Sequence, residues 1–109
     1  MKRSRLRPLA EEDLVQRTRY YARVGGRVLA ERFFDNAIAA LTPIERMPGS
    51  GSLRLGELCD VPGLRDWAVK DFPVRWCYFE AADHPDVVRL LADAQDLPML
   101  LGAVEPDRP

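Results

Sequence analysis

Arg65, Arg75 and Arg89 stand in three successive apolar stretches of the C-terminal half, with Trp67, Trp76, Tyr78 and Phe79 interleaved among them. A guanidinium presents a rigid fork of donors that fits a carboxylate or a phosphate, so three on one surface would hold an acidic peptide or a phosphate group. The competing use is internal, each arginine being consumed in an ion pair within the chain. The aromatics divide in the same way, between cross-strand packing and the lining of a groove that accepts an amphipathic partner helix.

Other chemistry is sparse. The single histidine, His84, precedes Pro85 in a turn sequence with no second histidine or cysteine at ligand spacing, and is read as a solvated turn residue. Asp83, Asp86, Asp93 and Asp96 flank the ends of apolar runs, where turn and cap formers sit, and nothing in their spacing makes a general acid and base pair. Ser4, Ser50 and Ser52 lack a nucleophile-elbow context, and no glycine-rich phosphate loop follows a strand. Cys59 and Cys77 are too few and too far apart for a metal knuckle or a disulfide framework, which points to a reducing cytoplasmic setting. No catalytic residue, metal ligand or cofactor is assigned.

The 109 residues, 47% of them hydrophobic, suffice for one domain with one modest core. Sixteen Lys plus Arg against seventeen Asp plus Glu leave a net charge of −1, so no global field draws the chain to nucleic acid or to an anionic membrane. The basic start from Met1 to Pro8 runs into Glu11, Glu12 and Asp13 rather than an apolar run, so no signal peptide is expected, and no stretch approaches bilayer-spanning length.

The elements that must position the arginines follow from periodicity. Arg5 to Leu9 alternates as a short strand does, with Pro8 at its end. From Ala10 to about Val24, Ala10, Leu14, Tyr21 and Ala22 share one helical face, opposite Glu11, Glu12, Gln16, Arg19 and Arg23. Gly25-Gly26 ends that helix, and a second begins near Arg27, with Ala30, Phe33, Phe34, Ala37, Ile38 and Leu41 recurring at three- and four-residue steps. The two predict an antiparallel hairpin that needs a sheet face to bury Phe33, Phe34 and Ile38. Thr42-Pro43-Ile44-Glu45 has the form of a capping box and marks either a kink or the start of a new short turn.

Residues 47 to 63, with Pro48, Gly49, Gly51, Gly56, Pro62 and Gly63, read as a surface connection with little regular structure, Gly49-Ser50-Gly51-Ser52 being a flexible linker. Three strands follow, Leu64 to Val69, Val74 to Ala82 and Val87 to Ala94. Lys70-Asp71-Phe72-Pro73 and Asp83-His84-Pro85-Asp86 join them into an antiparallel meander. The order β-α-α-β-β-β makes a single α+β domain with its core at about 5 to 101 and a short flexible C-terminal tail.

Several of these residues together resemble the ParE toxins of the RelE/ParE superfamily. They are Leu64-Arg65-x-Trp67-x-Val69-x-x-Phe72-Pro73, Tyr78, and Val88-Arg89-Leu90-Leu91 leading into Asp96-Leu97-Pro98. Upstream, Ala10-Glu11-x-Asp13-Leu14, Ala30-Glu31-Arg32-Phe33 and Met47-Pro48-Gly49-x-Gly51 agree in order and spacing, so the resemblance runs from about Leu6 to Leu101.

The resemblance implies a toxin of a type II toxin-antitoxin module, of the plasmid-stabilising kind, neutralised in a hetero-oligomer by a ParD-like antitoxin with a ribbon-helix-helix part. It implies DNA gyrase as the target, inhibited by binding rather than by enzymatic chemistry, and neither direct DNA binding nor a membrane partner. The candidate contacts for antitoxin or target are Arg65, Trp67, Arg75, Tyr78 and Arg89. RelE-like relatives cleave ribosome-bound mRNA on the same fold, which is the alternative activity, with Arg65, Arg75, Arg89 and Tyr78 as its groups. Where related sequences commonly read Leu-His-Gly-Ala-Arg-Asp, this chain reads Leu91-Ala92-Asp93-Ala94-Gln95-Asp96. Ala92 and Gln95 replace the histidine and arginine, which disfavours the nuclease and leaves a degenerate toxin, able only to form the antitoxin complex, as a third reading.

Overall fold

The computed structural model describes residues 3–102 and 104–106. A two-residue strand β1 (Arg5–Leu6) leads directly into the helical run α1 (Pro8–Ala39). Pro8 opens the helix instead of closing the strand, because its missing N–H and fixed φ suit the first helical position. α1 breaks at Gly26, whose φ of 84° and ψ of −177° are open to glycine and strained for other residues. The rings of Tyr21 and Phe33 lie 4.8 Å apart. In a straight helix those residues would be separated by about 18 Å of rise, so the two arms fold back as the antiparallel hairpin expected from the glycine pair.

After Ala40, a short helix α2 (Leu41–Arg46) begins without a side-chain cap, which resolves the choice left open at Thr42 in favour of a new turn. The capping box does not form. Glu45 instead accepts hydrogen bonds from the Ser4 N–H at 2.6 Å and the Ser4 hydroxyl at 2.8 Å.

The meander is β2 (Leu64–Ala68), β3 (Val74–Phe79) and β4 (Asp86–Ala92), each shorter than the sequence spans assigned to it. The sheet order is β1-β4-β3-β2, with β1 parallel to β4 and the other pairs antiparallel. Cys77 pairs with Arg89 and Tyr78 with Val87, so Val88 is an extra residue in β4. That bulge reverses the alternation before it, so that Val87 joins Leu90 in one core and Val88 joins Leu91 in the other.

Both sheet faces are covered. On one, Phe33, Ala37, Leu14 and Ala10 of α1 pack with Trp76, Tyr78, Val87 and Leu90. Trp76 lies wholly inside and donates its indole N–H to the Ala37 carbonyl at 2.8 Å, tying the second arm of α1 to the sheet. On the other, Cys59, Val61 and Leu101 pack with Leu64, Cys77, Phe79, Val88 and Leu91. This second layer corrects the expectation for residues 47–63. They hold a 3-10 turn at Pro48–Ser50, a helix α3 (Arg54–Leu58) and a bridge of Ser52 to Asp66. They are ordered because they shield a sheet face rich in apolar side chains.

The last helix, α4 (Leu97–Leu101), is capped by Asp96, whose carboxylate accepts the Met99 N–H. It buries Leu101, the last residue of the expected core, and is a helix where the sequence predicts no element. The short tail expected beyond it falls partly on 103 and 107–109, outside the described residues. Phe34 and Ile38, also expected inside, are each 42% exposed, because the arm turns Phe33 and Ala37 toward the sheet. Ala22 likewise lies outside the core.

Candidate functional site

Alternation along β2 and β3 separates the arginines that the sequence grouped. Arg65 lies opposite Tyr78 and shares the parity of Trp67, whereas Arg75 lies opposite Ala68 and Leu91, on the face of Cys77. The common basic surface therefore does not form. Each arginine also has carboxylate partners already.

Arg65 donates to Glu80 at 3.0 Å and to the Gly51 carbonyl at 2.8 Å. Arg75 bridges Asp66 at 2.7 Å and Asp93 at 2.9 Å. Burial works to lower the pKa of Arg75, but the hydrogen bonds and charges of Asp93 and Asp66 outweigh it and the net shift is upward. Arg89 forms a two-pronged pair with Asp13 of α1 at 2.7 and 3.0 Å, and Asp13 also accepts the Leu90 N–H at 3.0 Å. That pair raises the Arg89 pKa, chiefly through its hydrogen bonding.

The three pairs differ in how readily they exchange. The side chains of Glu80 and Asp93 are about half exposed, at 50% and 48%, so an incoming acid can compete for Arg65 and Arg75. Arg89 and Asp13 are 15% and 17% exposed, and their pairing clamps the first arm of α1 to β4. Arg89 is thus a structural contact.

Tyr78 is also withdrawn from the surface. It is fully buried, donates its hydroxyl to the Pro48 carbonyl at 2.7 Å and accepts the Gly51 N–H at 3.1 Å. Burial pushes its pKa up. As a candidate partner contact Tyr78 is corrected to an interior strut that anchors the chain entering the second layer. The sequence signal for this is the Pro48-Gly49-x-Gly51 spacing, which leaves room for the phenol where a side chain at 51 would not.

Of the candidates, those that remain accessible gather around β2, the strand at the end of the sheet. Trp67 is partly buried and lines a groove of about 250 Å³ with Ala39, Ala40 and Pro43 of the helical layer and Ala68 and Lys70 beside it. On the other side of the same strand, Arg54, Leu55 and Leu58 of α3 enclose a hollow of about 420 Å³ with Ser52, Asp66 and Arg75. Ser52 already occupies the edge at Asp66 through hydrogen bonds of 3.1 and 2.9 Å, which leaves Ala68 as the next outward-facing position. α3 and its basic residue Arg54 were not anticipated from the sequence, since the segment carries no periodic pattern long enough to register.

Cys77 is buried, and desolvation, with the charge of Asp66 adding to it, pushes its thiol to about 12. Both cysteines are free.

These features define a small α+β protein with a four-stranded sheet between a helical hairpin and a second, thinner layer, and with open grooves along the β2 edge. The fold is that of a chain in the solved chromosomal ParDE TA system from P. aeruginosa, with a TM-score of 0.71 and 17% sequence identity. The similarity covers 84% of this chain and 96% of that one. No protein-family model matches the chain. No curated protein matches it either. Among the described residues, no helix is long and apolar enough to cross a membrane.

Proposed function

We propose that the chain is the toxin of a type II toxin-antitoxin module, resembling ParE, that is neutralised by a ParD-like antitoxin and acts on DNA gyrase by binding. The observation that carries this reading is the likeness of fold, over nearly the full length of both chains, to a component of a ParDE system. A binding mode of action is supported by the state of the groups a nuclease would use. Tyr78 has both hydroxyl functions engaged in the interior, and Arg65, Arg75 and Arg89 are each paired with a carboxylate. Ala92 and Gln95 occupy the positions of the histidine and arginine of related sequences, and Gln95 accepts the Ala92 N–H at 2.7 Å.

The antitoxin docks along β2. Its apolar side chains enter the groove beside Trp67, and its acidic groups compete with Glu80 and Asp93 for Arg65 and Arg75. Induction in cells, with plasmid supercoiling and transcript ends measured together, tests the activity: altered supercoiling with intact transcripts is expected. Transcript cleavage with normal gyrase activity would overturn it in favour of the ribonuclease, and no effect on growth would leave a complex-forming remnant. For the docking site, Trp67→Ala and Arg75→Glu should each weaken the complex with the antitoxin at least tenfold, while Arg27→Ala, at the far side of the hairpin, should not.

A further inference from the structure

The first arm of α1 carries Arg17, Tyr20 and Arg23 at three-residue steps, which places them on one face of the helix. The guanidinium carbons lie 5.0 and 6.0 Å from the centre of the Tyr20 ring, so the phenol positions both cations without neutralising either. Among the described residues neither arginine meets a carboxylate, although Arg17 is partly buried. Arg65, Arg75 and Arg89 of the meander, by contrast, are all paired.

Between this face and β4 lies a hollow of about 230 Å³. β1 pairs with β4 only at Asp86 and Val87, so the outer edge of β4 beyond them has no neighbouring strand and is covered by side chains instead. Asp13 accepts the Leu90 N–H and holds Arg89, which answers its charge. Gln95 accepts the Ala92 N–H through its carbonyl at 2.7 Å, which leaves its amide N–H groups as donors beside the hollow that it lines.

We infer that this hollow binds a phosphate group, free or as a monoester, between Arg17 and Arg23 with the Gln95 amide donating to a further oxygen. Because Asp13 is matched by Arg89, the positive charges of Arg17 and Arg23 face the cavity unanswered, and a phosphate monoester brings about two negative ones. Two guanidinium forks and an amide also suit its three terminal oxygens. The carboxylate of an acidic peptide has one charge and two oxygens, and would leave one guanidinium unmatched. The cavity is smaller than the pockets of about 300 Å³ and above that enclose whole organic ligands, so it takes the phosphate and leaves the bearer in solvent. β4 lies two strands from β2, so an antitoxin on the β2 edge leaves the site open.

Heteronuclear NMR titration of the purified full chain with inorganic phosphate, at constant ionic strength, tests the proposal. Saturable shifts of the amides of residues 16–23 and 90–95 are expected, with a Kd of about 1 mM, and acetate should bind about tenfold more weakly. Arg17→Ala and Arg23→Ala should each weaken phosphate binding about tenfold, whereas Arg46→Ala, exposed on α2, should not. Gln95→Glu keeps the acceptor for the Ala92 N–H but sets a carboxylate beside the two arginines, and should abolish binding with an otherwise native spectrum. A 5′-phosphorylated oligonucleotide that binds more tightly than both inorganic phosphate and its 5′-hydroxyl form would assign the site to a nucleic-acid end; affinity no better than that of inorganic phosphate would assign it to a small phosphate. No saturable shift up to about 20 mM phosphate, acetate binding as tightly as phosphate, or undiminished binding by Gln95→Glu would each overturn the proposal.

Discussion

Replacing Tyr78 with Phe removes one oxygen from the interior and tests whether the segment 47–63 is held by that atom. The hydroxyl donates to the Pro48 carbonyl and accepts the Gly51 N–H, so its loss deletes two hydrogen bonds and strands a buried backbone donor. At about 1 kcal/mol net for each bond, and about 1 kcal/mol more for the unsatisfied amide, the expected cost is about 3 kcal/mol. For a domain of this length that corresponds to a fall of about 12 °C in Tm.

Gly51→Ala provides the complementary perturbation. The backbone at Gly51, with φ −66° and ψ 153°, is open to any residue, so any cost arises from contact alone. A Cβ there would overlap the phenol oxygen and lie 2.9 Å from Cε1 and Cζ of the same ring. Overpacking of this kind costs about 2 kcal/mol. In the Tyr78→Phe background the overlap with oxygen is gone and only the ring contacts persist, so the two substitutions should couple by about 1 kcal/mol. Urea unfolding followed by tryptophan fluorescence gives all four stabilities. A loss below about 0.5 kcal/mol for Tyr78→Phe, or strictly additive effects, would refute the view that this hydroxyl pins the second layer.

Other expectations follow from the same geometry. Because the folded-state pKa of Cys77 is raised from 9.0 to about 12, its contribution is complete below pH 9 and is lost as pH rises toward 12. Unfolding free energy should therefore decline over that window, and Cys77→Ala should flatten the decline measured by urea titration at each pH. Arg89→Ala should cost about 2 kcal/mol because it leaves Asp13 half-buried with only the Leu90 N–H, whereas Arg65→Ala should cost about 1 kcal/mol; chemical denaturation distinguishes them. Gly26→Ala should destabilise by about 2 kcal/mol although a Cβ there would have nothing within 4 Å, since its φ of 84° strains any L residue; a thermal melt should show the loss without altered helicity below Tm.

The helical hairpin and the meander are legible in the sequence because their determinants are local. A glycine pair between two periodic segments and two four-residue turns between apolar runs suffice to define neighbours along the chain. The parity that places Arg65 with Trp67 is local as well. The character of residues 47–63 is not, since α3 is too short to show a period and is stabilised by a sheet face formed later in the chain. The same holds for the choice between Phe33, which is buried, and Phe34, which is not: both fit the apolar stripe, and only the position of Trp76 and Phe72 decides between them.

The sequence by itself determined the helical hairpin and its turn, the three-stranded meander and the parity within β2, all of which depend on residues within a few positions of one another. Tertiary structure alone decided the fate of the chemical groups. Arg89 meets Asp13 from 76 residues away, Tyr78 meets Pro48 from 30 residues away, and Arg75 is shared between Asp66 and Asp93. A guanidinium or a phenol is identical in sequence whether it faces solvent or a partner, and its availability is fixed only when the chain brings distant polar groups within hydrogen-bonding range.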